Sequence, residues 1–305
     1  MDNNSQHMVA LVGPTASGKT SVAVALAREL NGEILSADSR QVYQGMNLGT
    51  GKDLQEYAHG GPPVPYHLID IAPAGSRYNV FQYQHDFLSA YRAIEQRGAR
   101  PILCGGSGLY VEAVLRGYRM MPVPENPELR QQLSTLSDDE LHQRLAAYGP
   151  LHNTTDLDSR KRTIRAIEIA DYHRSQPVSP KPFPVLQSTV FGIRYQRATE
   201  MARIRQRLQQ RLDAGLIDEV RGLLSSGLAP ADLIYYGLEY KHITEHLLGQ
   251  TSGSEMFERL YIAIRQFAKR QMTWFRGMER RGMVIHWLEG ELPLEQKLER
   301  ILALL

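Results

Sequence analysis

Cysteine is almost absent from this sequence of 305 residues, since Cys104 is the only one. A single thiol excludes a disulfide within the chain and a metal site built from several cysteines, and it is typical of a reducing compartment. Long apolar runs are lacking too: no stretch reaches the roughly 20 residues that span a bilayer. Residues 1–7 are polar and lack the apolar segment of a signal peptide. We therefore expect a cytoplasmic protein with no membrane partner.

An excess of charge of either sign is also lacking. The 35 Lys and Arg residues nearly balance the 33 Asp and Glu residues, which leaves a net charge of +2. Any surface that binds a polyanion must therefore be a local cluster. The hydrophobic share of 42% is ordinary for a globular protein, and the length is sufficient for a full core in one or two domains. We expect a monomer.

A glycine-rich turn near the N-terminus is the strongest functional signal. It has the phosphate-loop pattern Gly-x-x-x-x-Gly-Lys-Thr and lies between a short apolar run and a helix-like run. The glycines let several backbone N–H groups point at one anion, and the helix N-terminus adds positive potential. Lys19 supplies a charge for the terminal phosphates, and Thr20 supplies a hydroxyl for Mg²⁺. The pattern predicts a diphosphate or triphosphate site formed by Gly13, Pro14, Thr15, Ala16, Ser17, Gly18, Lys19 and Thr20.

Strand and helix signals alternate through the first third of the chain. Strands are predicted over residues 7–12, 33–37, 66–71 and 101–104, and helices over residues 18–30, 79–97 and 107–116. Such alternation predicts an α/β fold in which helices flank a parallel, phosphate-loop-type sheet.

The pattern changes between residues 118 and 187. Two helices are predicted there without strands: one has the capping box Ser137-x-x-Glu140, and the other begins at Asp156 or Asp158 and ends near Ser175. Strand signals return at 189–193 and 283–288, with helices between them. We therefore predict a core made of residues 1–117 and 188–305, with a small all-helical insertion domain over residues 118–187.

Two polar residues follow other predicted strands. Ligands of a parallel sheet bind at the carboxyl ends of its strands, so Asp38 is expected near the phosphate loop. Asp38 could hold Mg²⁺ through water, act as a general base, or cap a helix. Ser107 lies in a second glycine turn, where it could contact a ligand or cap the next helix. Cys104, just before that turn, is interpreted as a small buried apolar residue.

A positively charged helical face is predicted near the C-terminus. On a helix over residues 256–281, at about 100° per residue, the apolar face holds Leu260, Ile264, Phe267, Phe275 and Met278. The opposite face holds Arg265, Lys269, Thr273, Arg276 and Arg280. Further cations cluster on two other predicted helices: Arg203, Arg207 and Arg211 on one, and Arg160, Lys161, Arg162 and Arg165 on the other. Ordinary solvated cations are the alternative, but clusters on three elements favour a polyanion partner.

These motifs, taken in order, resemble the tRNA dimethylallyltransferases, also called tRNA isopentenyltransferases. The matching stretches span the chain from Gly13 to Arg276. They are residues 13–20, Ser-Ala-Asp-Ser-Arg-Gln-Val-Tyr at 36–43, Gly-Met-Asn-Leu-Gly-Thr-Gly-Lys at 45–52, His-Leu-Ile-Asp at 67–70, Gly-Gly-Ser-Gly-Leu-Tyr at 105–110, Arg-Ala-Ile-Glu at 165–168 and Lys-Arg-Gln-Met-Thr-Trp-Phe-Arg at 269–276. Residues 235–240 depart from the usual Ile-Gly-Tyr-[KR]-[EQ] pattern.

The resemblance implies transfer of a dimethylallyl group from dimethylallyl diphosphate, with Mg²⁺, to N6 of adenosine 37 beside the tRNA anticodon. Asp38 would be the general base, Ser107 would stand where the family more often has Thr, and Arg207 would bind the diphosphate with the phosphate loop. The insertion would grip the tRNA. The implied tRNA contacts are Asp38, Ser39, Arg40, Gln41, Ser107, Arg130, Lys161, Arg162, Thr163, Ile164, Arg165, Lys269, Arg270, Gln271, Met272, Thr273, Trp274, Phe275 and Arg276.

Three rival functions remain open from the sequence. An ATP-binding nucleotide kinase would explain the phosphate loop but not the basic face. An adenylate isopentenyltransferase would prenylate free nucleotides and would not need the insertion. A non-catalytic RNA-binding protein would leave Lys19 and Asp38 without a role.

Overall fold

The computed structural model describes residues 7–120, 122–149, 157, 159–175 and 183–305. The chain divides into two compact units. The first consists of the residues up to Tyr118 together with Pro184–Leu305, and the second is Arg119–Phe183. Across the described residues, no helix is both long enough and apolar enough to cross a membrane.

The first unit is built on a parallel sheet. Its strands are β1 (Met8–Val12), β2 (Gly32–Ser36), β3 (Tyr66–His67), β4 (Arg100–Gly105), β5 (Ser188–Arg194) and β6 (His286–Glu289), in the order β3-β2-β4-β1-β5-β6. Every neighbouring pair is parallel. The central strand β1 is buried throughout, which explains its uninterrupted apolar sequence. The predicted α/β fold is confirmed.

Helices cover both faces of the sheet and continue beyond it. They are α1 (Lys19–Glu29), α2 (Val80–Gln96) and α3 (Gly108–Leu115), followed after the second unit by α7 (Arg197–Asp213), α8 (Leu216–Ser225), α9 (Pro230–Tyr236), α10 (Leu238–Leu247), α11 (Gly253–Arg280) and α12 (Leu294–Leu302). One apolar cluster packs α1 against the sheet. A second cluster joins α7 to α11 with the segment that follows β2.

Several boundaries differ from the predicted ones. The strand predicted over 66–71 ends at His67, because Leu68 and Asp70 adopt positive φ values of 67° and 57° that leave the extended region. The last strand is shifted towards the C-terminus and is followed by α12, which the sequence prediction missed.

The second unit is helical, with α4 (Pro127–Ser134), α5 (Asp138–Ala146) and α6 (Arg160–Ser175). The predicted capping box is present: Ser137 accepts from the N–H of Glu140, whose carboxylate accepts in return from the N–H of Ser137. The prediction of two helices missed α4, whose start is marked by the capping Asn126 and by Pro127 at the first position. The alternative starts for α6 at residues 156 and 158 lie outside the described residues.

Candidate functional site

The phosphate loop joins β1 to α1 in the geometry that its glycines require. Gly18 caps α1 with a φ of 75°, in the left-handed region. A Cβ on Gly13 would lie 2.7 Å from the carbonyl oxygen of Ile193, so only glycine fits there. The Lys19 ammonium donates to the carbonyl of Pro14 at 3.3 Å and lies inside the cleft described below.

Ser17 leaves a polar atom unsatisfied inside this loop. Its side chain is 2% exposed, and its Oγ has no hydrogen-bond partner among the described residues. Buried polar atoms normally find a partner. An unpaired hydroxyl in a loop whose N–H groups surround an anion site therefore fits a ligand oxygen.

The loops after β1, β2 and β4 meet at one edge of the sheet. The Ser107 Oγ accepts a hydrogen bond from the Ser39 N–H at 2.9 Å, and the Ser107 N–H donates to the Ala37 carbonyl at 3.1 Å. Ser107 occupies the N-cap position of α3, but its hydroxyl makes no capping hydrogen bond. Its side chain is used instead to fix the loop that carries Asp38.

Gln271 joins the two glycine turns. Its side-chain oxygen accepts from the Thr15 N–H at 2.8 Å, and its side-chain nitrogen donates to the Gly106 carbonyl at 2.9 Å. The side chain is 5% exposed. The two turns therefore belong to one composite site, held by a residue of α11.

Asp38 is held in a tight turn at the carboxyl end of β2. Its Oδ1 accepts from the backbone N–H groups of Arg40 at 2.8 Å and Gln41 at 3.4 Å. No helix follows, so the helix-capping alternative is wrong, and the carboxylate instead closes an Asx turn. Asp38 lines the same cleft as Lys19 and Thr20.

Three arginines of α7 face the phosphate loop. Arg203 donates to the carbonyl of Ala16 at 3.0 Å, and Arg207 pairs with Asp53. Arg211 lies 3.6 Å from Glu239 and 3.9 Å from Asp53. All three line the cleft. The regular spacing of these arginines therefore brings all three to the cleft that holds the phosphate loop, where the sequence analysis had placed only Arg207.

The cleft that these elements enclose has a volume of about 880 Å³. Burial lowers the pKa of Lys19, and the positive charges of Arg207 and Arg211 act in the same direction. Burial raises the pKa of Glu56 and of Glu239, which share the cleft. Cations thus converge without full compensation, as a site for a di- or triphosphate requires.

The Thr20 hydroxyl is a protein oxygen that a divalent cation could use at the phosphate loop. Thr20 lies in the first turn of α1 and lines the cleft beside Lys19. Among the described residues, no group of three or more His, Cys, Asp or Glu side chains could hold a metal by itself. The donor set therefore fits an ion that shares the oxygens of a bound diphosphate.

The segment 269–276 has two faces. Arg270 and Gln271 line the cleft, Phe275 is fully buried in the core, and the indole N–H of Trp274 donates to Glu112 at 2.9 Å. Lys269, Thr273 and Arg276 are exposed, and Met272 is partly exposed. Of the residues predicted to contact tRNA here, Gln271 and Phe275 are interior in this structure. The apolar face also differs from the prediction, because Phe267 lines the cleft while Ala268 is buried.

In the second unit, a buried carboxylate gathers two of the predicted cations. Glu168 is 2% exposed and accepts from Arg130 at 2.9 Å and from Arg165. These hydrogen bonds hold the pKa of Glu168 below its usual value against its burial. Lys161 and Arg162 are exposed, Ile164 is partly exposed, and Thr163 is buried.

Sequence reasoning missed several residues of the site. Asp53 and Glu239 line the cleft, yet neither had been given a role, and Arg203 and Arg211 had been assigned only to a general cationic cluster. Glu219 was missed as well: it accepts from the N–H groups of residues 47, 48 and 49 and so fixes the wall that leads to Asp53. The spacing of the arginines was visible in the sequence, but the acidic residues carry no local signal.

Comparisons with known proteins identify the family of the chain. A family described as IPP transferase matches residues 41–278, and one described as isopentenyl transferase matches residues 6–61. The chain is 57% identical to a tRNA dimethylallyltransferase 2 of Bacteroides fragilis over 291 residues, which cover 95% of each protein. It is 56% identical to a tRNA dimethylallyltransferase 2 of Porphyromonas gingivalis, over 97% of this chain and 98% of the relative.

Solved structures with the same fold include a tRNA isopentenylpyrophosphate transferase from Bacillus halodurans. It has a TM-score of 0.71 and 31% identity, over 98% of this chain and 95% of that one. A eukaryotic dimethylallyltransferase acting on tRNA has a TM-score of 0.74 at 20% identity, over 93% of this chain and 74% of that one, and shares the fold.

Proposed function

The chain belongs to the tRNA dimethylallyltransferase family and transfers a dimethylallyl group to tRNA, and we propose that its donor is dimethylallyl diphosphate. The proposed acceptor atom is N6 of adenosine 37, beside the anticodon, and the product is N6-isopentenyladenosine. The observation that carries the proposal is the convergence of Lys19, Arg207 and Asp38 on one cleft.

The phosphate loop and α7 provide the binding site for the leaving group in this proposal. An allylic C–O bond breaks with carbocation character, so negative charge grows on the diphosphate as the transition state forms. Lys19, Arg207 and the loop N–H groups, with the Ser17 hydroxyl, would stabilise that charge. Cations aimed at developing charge accelerate the reaction because they need no reorganisation when the bond breaks.

Asp38 acts as the general base of the proposed reaction. The adenine amino group is a poor nucleophile, and it must lose a proton as the new C–N bond forms. The Asx turn and the Ser107–Ser39 hydrogen bond hold the loop that carries Asp38 in place. We assign Ser107 a positioning role that acts through Ser39.

A divalent cation completes the proposed diphosphate site, and Mg²⁺ suits it because it prefers oxygen ligands and is commonly shared with phosphates. It would be held by Thr20 and by the diphosphate itself. When bound, it supplies additional positive charge to the leaving group.

The acceptor base must reach the cleft from a folded RNA. Bases in a loop can leave their stack at moderate cost, which suits extrusion into an enclosed site. Ser39, Arg40 and Gln41 would contact the extruded nucleotide, and Lys269, Arg270, Thr273 and Arg276 would contact the RNA backbone. Exposed cations of the second unit, Lys161 and Arg162 among them, would grip the stem. We further propose that the protein acts as a monomer in the cytoplasm.

The deciding experiment is mass spectrometry of nucleosides from tRNA incubated with the protein and dimethylallyl diphosphate. N6-isopentenyladenosine at position 37 is the expected product. Free AMP as acceptor serves as the control for a nucleotide-modifying enzyme. Modification of AMP but not of tRNA would contradict the proposal.

A further inference from the structure

Asp53 lies among the cations of the cleft and has no role in the proposed transfer reaction. Its carboxylate pairs with Arg207 and lies 3.9 Å from Arg211, and the Asp53 side chain is 21% exposed. We propose that Asp53 is an internal counter-ion, which occupies Arg207 while the diphosphate is absent and is displaced from Arg207 when the diphosphate binds. The inference rests on the proposed diphosphate site and adds a residue that tunes its affinity.

The cations around Asp53 explain why a counter-ion is needed. Lys19, Arg203, Arg207 and Arg211 all line one cleft. An arginine keeps its charge at every accessible pH, so burial cannot relieve the repulsion by deprotonating it. Arg211 is more enclosed than Arg207, with 12% of its side chain exposed against 30%, and its Nε has no partner among the described residues. Asp53 and Glu239 supply negative charge beside these arginines.

A bound diphosphate would make the Asp53 carboxylate unfavourable at this position. It brings several negative charges to the guanidinium that Asp53 contacts, so the carboxylate changes from a partner of the arginines into a repulsive neighbour of the ligand. Glu56, which lines the same cleft, would add to that repulsion, although burial raises its pKa. Displacing Asp53 costs free energy, and this cost makes the net binding of diphosphate weaker.

The surrounding loop allows the exchange to occur by side-chain rotation. Lys52, the residue before Asp53, is 1% exposed and donates to the carbonyl of Tyr43 at 2.7 Å and to Asn47 at 2.9 Å. Gln41 donates to the carbonyl of Gly51 at 2.9 Å. The backbone is therefore held on the N-terminal side of Asp53, whereas the Asp53 carboxylate forms ion pairs, among the described residues, with the two arginines.

The backbone conformation at Asp53 also supports the role of a counter-ion. Its φ of 47° lies in the left-handed region, which is sparsely populated by residues other than glycine. A Cβ at the neighbouring Gly51 would lie 1.7 Å from the Arg211 guanidinium, so this turn packs directly onto the arginine. The chain adopts an uncommon conformation that places a carboxylate against cations.

The test is calorimetric binding of inorganic diphosphate to the full chain, with and without Mg²⁺. Asp53→Asn removes the charge and keeps the shape, so diphosphate should bind about tenfold more tightly, a difference of about 1.4 kcal/mol. Product inhibition by diphosphate should strengthen in parallel. The matched control is Asp218→Asn, because Asp218 pairs with Arg221 on the exposed surface and does not line the cleft. The Asp218→Asn variant should bind diphosphate with the affinity of the wild type.

Two outcomes would overturn the inference. Unchanged affinity would make Asp53 a structural residue only, and weaker affinity confined to the Mg²⁺ series would make it a metal ligand. A double-mutant cycle with Arg207→Gln excludes an indirect effect. The gain in diphosphate affinity caused by Asp53→Asn should vanish when Arg207 is also replaced. If Asp53→Asn is not folded by circular dichroism, the same measurement is made on Asp53→Ala. Wild-type protein that binds no diphosphate would instead contradict the proposed function.

Discussion

The side chain of Gln271 accepts a hydrogen bond from the backbone N–H of Thr15 at 2.8 Å, across 256 residues of chain. The nitrogen of the same amide donates to Gly106 in the other glycine turn. Helix α11, which carries exposed cations, therefore also fixes the phosphate loop. The phosphate loop and the cationic helix, which the sequence indicated separately, are parts of one structure.

Gln271→Ala should destabilise the protein and weaken diphosphate binding together. The substitution leaves the partly buried N–H of Thr15 and the buried carbonyl of Gly106 without these partners, and an unsatisfied buried group costs about 1–3 kcal/mol. Urea unfolding and calorimetry measure the two effects. Thr273→Ala is the control on the same helix, since Thr273 is exposed and its hydroxyl donates to the carbonyl of Lys269. Equal behaviour of the two variants would contradict this role.

Asp38→Asn should bind both substrates and lose most prenyl transfer. The amide oxygen of Asn can still accept from Arg40 and close the turn, so the change isolates the loss of the base, which typically costs about 10²–10⁴ in rate. Single-turnover transfer is the measurement. Asp38→Ala, which also opens the turn, should be at least as slow. A rate for Asp38→Asn within a few-fold of wild type would assign the proton to another group.

Lys19→Ala should weaken diphosphate binding and slow transfer, with little change in tRNA affinity, because Lys19 lies at the phosphate loop inside the cleft. Binding should also depend on pH. Burial lowers the pKa of Lys19 below the usual 10.5, so its charge, and with it diphosphate affinity, should be lost at a lower pH than for an exposed lysine.

The titration of Lys19 should also affect protein stability, which should rise with pH where diphosphate affinity falls. Between the lowered pKa of Lys19 and 10.5, the unfolded chain binds more protons, so this residue's contribution to the free energy of unfolding rises with pH. Lys19→Arg keeps its charge and should show neither dependence. Parallel pH series for wild type and Lys19→Arg would refute the assignment.

The double substitution Lys269→Ala, Arg276→Ala should weaken tRNA binding at low salt and leave dimethylallyl diphosphate binding unchanged. Both side chains are exposed. Each phosphate contact that is lost should flatten the salt dependence by about 0.7 for single strands and about 0.9 for a duplex. An anisotropy titration over a salt series measures this. Arg300→Ala, an exposed cation on α12, controls for loss of charge alone. Wild-type affinity and slope in a folded double variant would mean that tRNA is held elsewhere.

ATP should not be hydrolysed at a meaningful rate, with or without tRNA. The phosphate loop and its arginines are already accounted for by the allylic diphosphate, so no role remains for a cleaved γ-phosphate. Phosphate release is the measurement. Robust release stimulated by tRNA would restore the rival interpretation as a kinase or an ATPase.

Local pattern predicted the phosphate loop almost to the residue. The helix predicted over 18–30 is observed as Lys19–Glu29, because strand, glycine turn and helix all lie within one short stretch whose conformation is set locally. The same applies to the capping box at Ser137 and Glu140. Helix α12 was missed although its amphipathic pattern, which buries Ile301, was present.

Long-range contacts could not be predicted in this way. Helical periodicity indicated that α11 has a buried face, but not that the buried Gln271 side chain would hydrogen-bond to residues 15 and 106. Periodicity also assigned Phe267 to the core, whereas the buried positions of this turn are Ile264 and Ala268. The Arg207–Asp53 pair joins two residues 154 positions apart, and only the packing of α7 on the sheet brings them together.

The buried thiol of Cys104 has a practical value for studying this protein. It is 6% exposed, and burial raises its pKa to about 12, so alkylating labels should react with it slowly at neutral pH. A cysteine introduced at an exposed position of α11, such as Lys269, would then be the only reactive thiol. Fluorescent or spin labels could be attached there without removing the native cysteine, and the approach of tRNA to this helix could be followed by distance measurements.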